Sequence, residues 1–136
     1  MKKPIDIDAL VAEAVPPRPN PQLAFTMPVR VDSETNAREH WAKKRNRKIN
    51  QKIATRYGWV DAVRPIDFRV SLPCVVRLVR VGSRKLDSDN LGESFKAIRD
   101  ALAGMIGVDD GDERIKWEYA QVAVGKRVYQ VRVEVY

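Results

Sequence analysis

Carboxylates gather around one stretch of a chain that is otherwise basic. The 136 residues carry a formal net charge of +7, yet the stretch from Lys85 to Ile115 is acidic at both ends. Its carboxylates belong to Asp87, Asp89, Asp109, Asp110, Asp112 and Glu113. Two explanations are open: the stretch is a solvated acidic surface, or it holds a divalent cation next to a strongly anionic group.

The residues between the acidic ends have the periodicity of an amphipathic helix. If Asn90–Ile106 is one helix with about 100° per residue, its apolar side chains form a single stripe. The predicted stripe consists of Leu91, Phe95, Ile98, Leu102 and Met105. The opposite side carries Asp89, Glu93, Lys96 and Asp100. On an ordinary exposed helix these charges would form only weak ion pairs, which is the first explanation.

The second explanation rests on the spacing of the acids. Asp87 and Asp89 lie two residues apart in a segment predicted to be extended, so their side chains point to the same side and repel unless a cation lies between them. One His and one Cys exclude a zinc site with several such ligands, and oxygen ligands suit Mg²⁺ or Mn²⁺. The segment "DDGDER" lacks the ligand pattern of a calcium-binding EF-hand loop. A cation held here, with a lysine nearby, suits phosphodiester hydrolysis.

A second segment is strongly basic. From Ser33 to Trp59 the sequence contains no Pro and its only Gly is Gly58, which predicts a long helix with Trp41, Ile49 and Ile53 facing the core. Between Arg38 and Arg56 a single acid, Glu39, accompanies many basic residues. They are Arg38, Lys43, Lys44, Arg45, Arg47, Lys48, Lys52 and Arg56. Because this density of one charge repels itself, it favours contact with DNA phosphates over a merely solvated surface.

The acidic stretch also resembles the RusA-type Holliday-junction resolvases, which are common in phages and prophages. The family motif D-x-D-N-L, a Lys, D-A-L and D-D is matched by Asp87–Leu91, Lys96, Asp100–Leu102 and Asp109-Asp110. "TNAREHWAKK", Thr35–Lys44, is similar to the segment before the first long helix of phage members. The resemblance covers about Leu23 to Tyr136. It implies a homodimeric, Mg²⁺-dependent endonuclease that makes paired cuts in four-way DNA junctions.

The resemblance also implies roles for single residues. Asp87, Asp89 and Asp110 would hold the metal, with Asp109 as the alternative to Asp110, and Lys96 would be the catalytic base or a phosphate contact. The family Lys usually follows the second motif Asp by four residues, whereas Lys96 follows Asp89 by seven and Glu93 stands at the fourth position. Either the helix begins later than the motif indicates, which we favour, or Lys96 is a salt-bridge partner and Glu93 joins the site.

The order of elements predicts one α+β domain over residues 22–136, with a mixed sheet of about four strands and two main helices. Strands are predicted at Leu23–Val31 and Phe68–Gly82, and a β-hairpin around Gly125-Lys126. Residues 1–21 are predicted to form an arm with a Pro-rich linker outside the core, packed on a partner subunit. Cys74 is predicted to be a small core residue. The absence of a long apolar run or a signal peptide predicts a cytoplasmic protein with no membrane contact.

Three functions fit these patterns. The leading hypothesis is a Mg²⁺-dependent (Mn²⁺ being possible) structure-selective endodeoxyribonuclease that resolves branched DNA. The second is a DNA-binding protein that keeps the fold and the dimer without catalysis. The third is a structural basic protein whose acidic segment only balances charge. Cleavage of a junction with Mg²⁺ and not with EDTA separates the first two, and the third predicts no effect of divalent ions on stability.

Overall fold

The computed structural model describes residues 6–33, 41–63 and 67–136. Within these ranges the chain forms a four-stranded mixed sheet with helices on both faces, which confirms the predicted α+β class. The helices are α1 (Ile7–Ala14), α2 (Trp41–Ala62), α3 (Ser88–Ser94) and α4 (Lys96–Ile106). The strands are β1 (Leu23–Met27), β2 (Cys74–Gly82), β3 (Ile115–Ala123) and β4 (Gln130–Val135). No helix in these ranges has the length and apolar character needed to cross a membrane.

The strand order is β1-β4-β2-β3. Strand β4 is antiparallel to both β1 and β2, whereas β3 is parallel to β2 and reaches it through α3 and α4. The predicted hairpin around Gly125-Lys126 is therefore wrong, because β2 lies between β3 and β4. The alternation of apolar and polar residues identified both strands but carries no information about which strand each one pairs with.

The apolar stripe after Asp87 packs against the sheet as predicted. Leu91, Phe95, Ile98 and Leu102 are buried, and Met105 is partly buried. The single helix predicted for Asn90–Ile106 is wrong, however, because it is divided into α3 and α4 at Phe95. The Phe95 ring is fully buried and stacks on Tyr119 of β3, with ring centroids 5.7 Å apart. The stacking thus joins the break between α3 and α4 to β3.

Helix α2 buries a side that the apolar pattern did not predict. Gln51, Thr55 and Trp59 face the core, whereas Trp41 and Ile53 are 67% and 45% exposed and Ile49 is exposed as well. The Gln51 amide donates to the backbone oxygen of Arg30, and the Thr55 hydroxyl donates to that of Gln51. These hydrogen bonds give the Gln51 amide nitrogen and the Thr55 hydroxyl partners inside the fold. The prediction of Trp41, Ile49 and Ile53 as inward residues is therefore wrong.

The arm of residues 1–21 lies against its own chain in the part that the structure describes. Val11 of α1 is buried against Val79 and Val122 on the sheet face opposite α2. Arg77 and Arg132 of the sheet donate hydrogen bonds to the backbone oxygens of Pro16 and Val15. The arm thus covers the second face of the sheet, instead of standing outside the core.

Two strands are shorter than predicted. Strand β1 ends at Met27, not at Val31, and β2 begins at Cys74, not at Phe68. The Cys74 side chain is buried, as predicted, and burial raises the pKa of its thiol. The start of the predicted basic helix, residues 34–40, lies outside the described residues.

Candidate functional site

The first pair of carboxylates lies at the start of α3. Asp87 is the N-cap residue and Asp89 is in the first turn, and both side chains are exposed. The Asp87 carboxylate accepts no capping hydrogen bond, although aspartate at this position usually does. Because α3 begins at Ser88, the predictions of a later helix start and of an extended segment at Asp89 are wrong. Both carboxylates lie at the start of the helix, but their side chains do not have the common direction that an extended segment would give them.

A glutamine fixes the backbone that leads into this helix. Gln121 of β3 accepts a hydrogen bond from the Leu86 backbone N–H through Oε1 and donates one to the Leu86 backbone oxygen through Nε2, both at 2.8 Å. The side-chain amide thereby makes the two backbone hydrogen bonds that a neighbouring strand would otherwise make with Leu86. The residue before Asp87 is held at a defined place on the sheet, so the start of α3 is positioned by β3.

The second pair of carboxylates follows α4 and is positioned by the same strand. Trp117 of β3 donates a hydrogen bond from its indole nitrogen to the backbone oxygen of Asp110 at 3.0 Å. Trp117 and Gln121 are four residues apart on β3, which separates the two anchoring points by about 13 Å. In residues 6–33, 41–63 and 67–136, no three acidic, His or Cys side chains come together as possible metal ligands. The predicted set of Asp87, Asp89 and Asp110 is therefore not assembled as one cluster.

Two other acids of this loop serve local structure. Asp109 accepts a hydrogen bond from the Gly111 backbone N–H at 3.4 Å. Asp112 accepts from the backbone and the guanidinium of Arg114, and these hydrogen bonds lower the pKa of the Asp112 carboxyl to about 2. Both arrangements shape the turn between α4 and β3.

Lys96 is the first residue of α4, and its side chain is exposed. Its ammonium nitrogen lies 3.8 Å from a carboxylate oxygen of Asp100, one turn farther along the same helix. No ion pair in the described part of the chain joins Lys96 to Asp87, Asp89 or Asp110. Glu93, on α3, is exposed. The salt-bridge alternative for Lys96 thus has a partner in the structure, and the completion of the site by Lys96 or Glu93 stays a prediction.

The predicted DNA-binding residues lie along α2, except for Arg38, which is outside the described residues. Arg45 and Lys52 line an open surface on the outer side of α2, together with Lys44 and Lys48. Lys43 and Arg47 line a second depression on the other flank, which is completed by Arg30 from the segment after β1. The basic side chains are thus distributed over both flanks of the helix.

Arg30 connects α2 to the start of α3. It lines the depression beside Lys43 and Arg47, and it also lines a pocket beyond the end of β2. The other cations of this pocket are Arg80, Arg84 and Lys85, and Asp87 comes two residues after Lys85. These residues lie outside the motif and the basic segment of the sequence. The adjacency of Arg84-Lys85 to the acidic motif was the available signal, whereas Arg30 is brought in only by folding.

The sequence matches no protein-family model and no curated protein.

Proposed function

We propose that the protein is an endodeoxyribonuclease that cuts branched DNA, such as a four-way junction, with Mg²⁺ or Mn²⁺ as the cofactor. The D-x-D-N-L motif at Asp87–Leu91 and the resemblance that it carries suggest the reaction. In this proposal Asp87 and Asp89 are at the reacting phosphate, α2 binds the DNA backbone, and two copies of the chain make paired cuts. Asp110 and Lys96 are the further catalytic residues that the resemblance implies.

One observation carries the DNA part of the proposal. Basic side chains follow one another from Lys43 and Arg47 on α2, through Arg30, to the pocket that precedes Asp87, where Asp32 pairs with Arg30. A DNA strand whose phosphates are neutralised by these basic side chains would bring a phosphate to the exposed start of α3. Contacts of this kind position a nucleic acid by its backbone and do not read its sequence, which suits a protein selective for branch shape.

The carboxylates at the start of α3 fit a divalent cation in one specific way. Mg²⁺ usually keeps several waters and binds through one or two carboxylates plus the phosphates of its substrate. Asp87 and Asp89 are exposed, and Asp87 accepts no capping hydrogen bond, so both are available for this arrangement. A cation bound there would polarise a phosphoryl oxygen and lower the pKa of a bound water. Asp110 stands apart from this pair in a single chain.

The homodimer is supported by an exposed apolar stripe on α2. Ile49, Ile53, Tyr57 and Val60 follow one another at intervals of four, four and three residues and face away from the core. Ile53, Tyr57 and Val60 line one continuous apolar surface. Two such stripes packed about a two-fold axis would bury these side chains and place two basic helices side by side.

The proposal is tested with a labelled four-way junction and a linear duplex of the same sequence. We expect symmetric cuts in the junction with Mg²⁺ or Mn²⁺, no cuts with EDTA, and no cuts in the duplex. Asp61→Asn, which changes an exposed acid on α2, is the control for charge and should cut like the original protein. Absence of cutting with every divalent ion would contradict the nuclease proposal.

A second candidate is a DNA-binding protein without catalysis. The pairing of Lys96 with Asp100 and the separation of Asp110 from Asp87 favour this candidate. It predicts junction binding of the same affinity with Mg²⁺ and with EDTA, and no strand cleavage.

A further inference from the structure

The pocket beyond the end of β2 is built around a buried guanidinium. The cavity measures about 320 Å³, and Arg80, which is 3% exposed, contributes its guanidinium to the lining. Its Nε donates to the backbone oxygen of Val31 at 2.7 Å, and its Nη1 donates to that of Arg84 at 2.8 Å. The remaining nitrogen, Nη2, lies 3.9 Å from Asp32, which is too long for a hydrogen bond.

Among the described residues, the charges around the cavity do not balance. Within residues 6–33, 41–63 and 67–136, Arg30, Arg80, Arg84 and Lys85 contribute four cations to the lining, and Asp32 is the only carboxylate. Asp32 is also engaged by Arg30, whose Nε lies 2.7 Å from its carboxylate. The Arg30 guanidinium is in turn oriented by the ring of Tyr129, 4.3 Å from its centroid. Burial lowers the pKa of Arg80, which is the expected response of a cation with too little compensating charge nearby.

A structural role explains only part of this arrangement. The two hydrogen bonds of Arg80 tie the end of β2 to the segments after β1 and β2, and this role needs no further cations. Gly82 makes room for the guanidinium, since a Cβ atom at residue 82 would lie 2.9 Å from both Nη1 and Nη2. Convergence of Arg30, Arg84 and Lys85 on the same opening is unfavourable unless an anion joins them.

We infer that this pocket is a phosphate-binding site, which holds a phosphodiester of the DNA strand next to the one presented to Asp87 and Asp89. This inference rests on the proposed function, which identifies the bound phosphate as part of a DNA strand. The guanidinium and ammonium groups of the lining match a phosphate in charge and in hydrogen-bond donors. With Lys85 two residues from Asp87, one bound phosphate fixes the register of the strand at the carboxylates.

The test uses inorganic phosphate as the probe and the full chain in solution. We expect saturable NMR shifts of the Arg80 Nε–H and Leu86 amide signals at constant ionic strength. The Arg84→Ala/Lys85→Ala variant should bind phosphate at least about tenfold more weakly, as expected for the loss of hydrogen bonds to a charged group. Lys116→Ala, an exposed lysine at the other end of the sheet, is the control and should bind normally. Equal binding by both variants, or no saturable shift, would overturn the inference.

Junction binding across a salt series supplies the second arm. We expect the double variant to reduce the slope of log affinity against log salt by about one unit per lost phosphate contact. An unchanged slope would show that the DNA strand does not occupy the pocket. Phosphate binding without junction cleavage by the original protein would contradict the proposed function but leave the anion site standing. Junction cleavage without phosphate binding would contradict the anion site but leave the proposed function standing.

Discussion

Gln121 on β3 holds the backbone of Leu86 through both its donor and its acceptor, two hydrogen bonds of 2.8 Å each. This contact positions the start of α3 from the neighbouring strand. We predict that Gln121→Ala lowers the free energy of unfolding by about 1–3 kcal/mol, because two backbone groups of a half-buried residue lose their partners. Junction cleavage should fall more than junction binding does, since the proposed function places the displaced residues at the reacting phosphate.

The chain contains a matched control for this prediction. Gln22 holds Ser71 in the same manner, with Nε2 donating to the Ser71 oxygen at 3.1 Å and Oε1 accepting from the Ser71 N–H at 2.7 Å. Gln22→Ala should lose less stability in urea unfolding, because Ser71 is exposed and water can replace its partner, and it should leave cleavage unchanged. Equal loss of cleavage in the two variants would contradict a positioning role for Gln121.

A buried carboxylate makes the stability depend on pH. Burial by itself would raise the pKa of Glu134, but hydrogen bonds from Arg77 at 2.7 Å and Tyr136 at 2.8 Å, with the charge of Arg132, lower it. A lowered pKa stabilises the fold above the unfolded value of 4.5, and this contribution is lost as the pH falls through the folded value. We predict that Glu134→Gln costs about 3 kcal/mol at pH 7, because it leaves two partly buried arginines, Arg77 and Arg132, without a counter-charge.

The measurement is urea unfolding at pH 7 and at pH 3. The difference between the original protein and Glu134→Gln should shrink at the lower pH, because below pH 4.5 the Glu134 carboxyl is protonated more readily in the unfolded chain than in the fold. Glu113→Gln changes an exposed carboxylate and should differ little from the original protein at either pH. A Glu134→Gln difference that is the same at both pH values would show that the charge of Glu134 is not responsible.

The apolar stripe of α2 predicts the oligomeric state. We expect a dimer at micromolar concentration and a monomer after Ile53→Glu, because a carboxylate would be buried in the interface of two stripes. The fold itself should be retained, since Ile53 is 45% exposed within one chain. Light scattering after gel filtration measures the mass. Leu10→Glu, at an apolar residue of similar exposure on α1, should leave the dimer intact. A monomeric original protein would contradict the proposed dimer.

The outer side of α2 predicts the salt dependence of DNA binding. Arg45→Ala combined with Lys52→Ala removes two cations that line one open surface and form no ion pair in the described residues. The slope of log affinity against log salt should fall by about two units. The loss of affinity should be the same for branched DNAs of different sequence. Arg69→Ala/Lys116→Ala removes two exposed cations elsewhere and should leave the slope unchanged. The same slope in both variants would contradict DNA contact along α2.

The core residues of the acidic stretch could be read from the sequence because a helix that covers a sheet has a regular apolar stripe. Leu91, Ile98 and Leu102 are buried as that stripe requires. The division at Phe95 was not readable, since the stacking partner Tyr119 is distant in sequence and contacts it only after folding. Strand pairing was unreadable for the same reason, and β3 joins β2 in parallel where a hairpin with β4 was predicted.

The site itself was predicted in parts. The spacing of the motif located Asp87 and Asp89, but it did not locate Arg30 or Gln121, which reach the start of α3 from other elements. Hydropathy also predicted the wrong inward side of α2. Gln51 and Thr55 are buried and hydrogen-bonded, whereas Ile49 and Ile53 are exposed. A polar residue with a satisfied partner is indistinguishable from a surface residue in the sequence alone.

The most direct test of the account is junction cleavage by Asp89→Asn, measured beside junction affinity and thermal stability. We predict that this variant folds and binds the junction like the original protein. It should lose cleavage at least about a hundredfold with Mg²⁺, because the proposed function places this carboxylate at the reacting phosphate. Asp61→Asn should cut normally. Full cleavage by Asp89→Asn would contradict the assignment of the start of α3 as the catalytic centre.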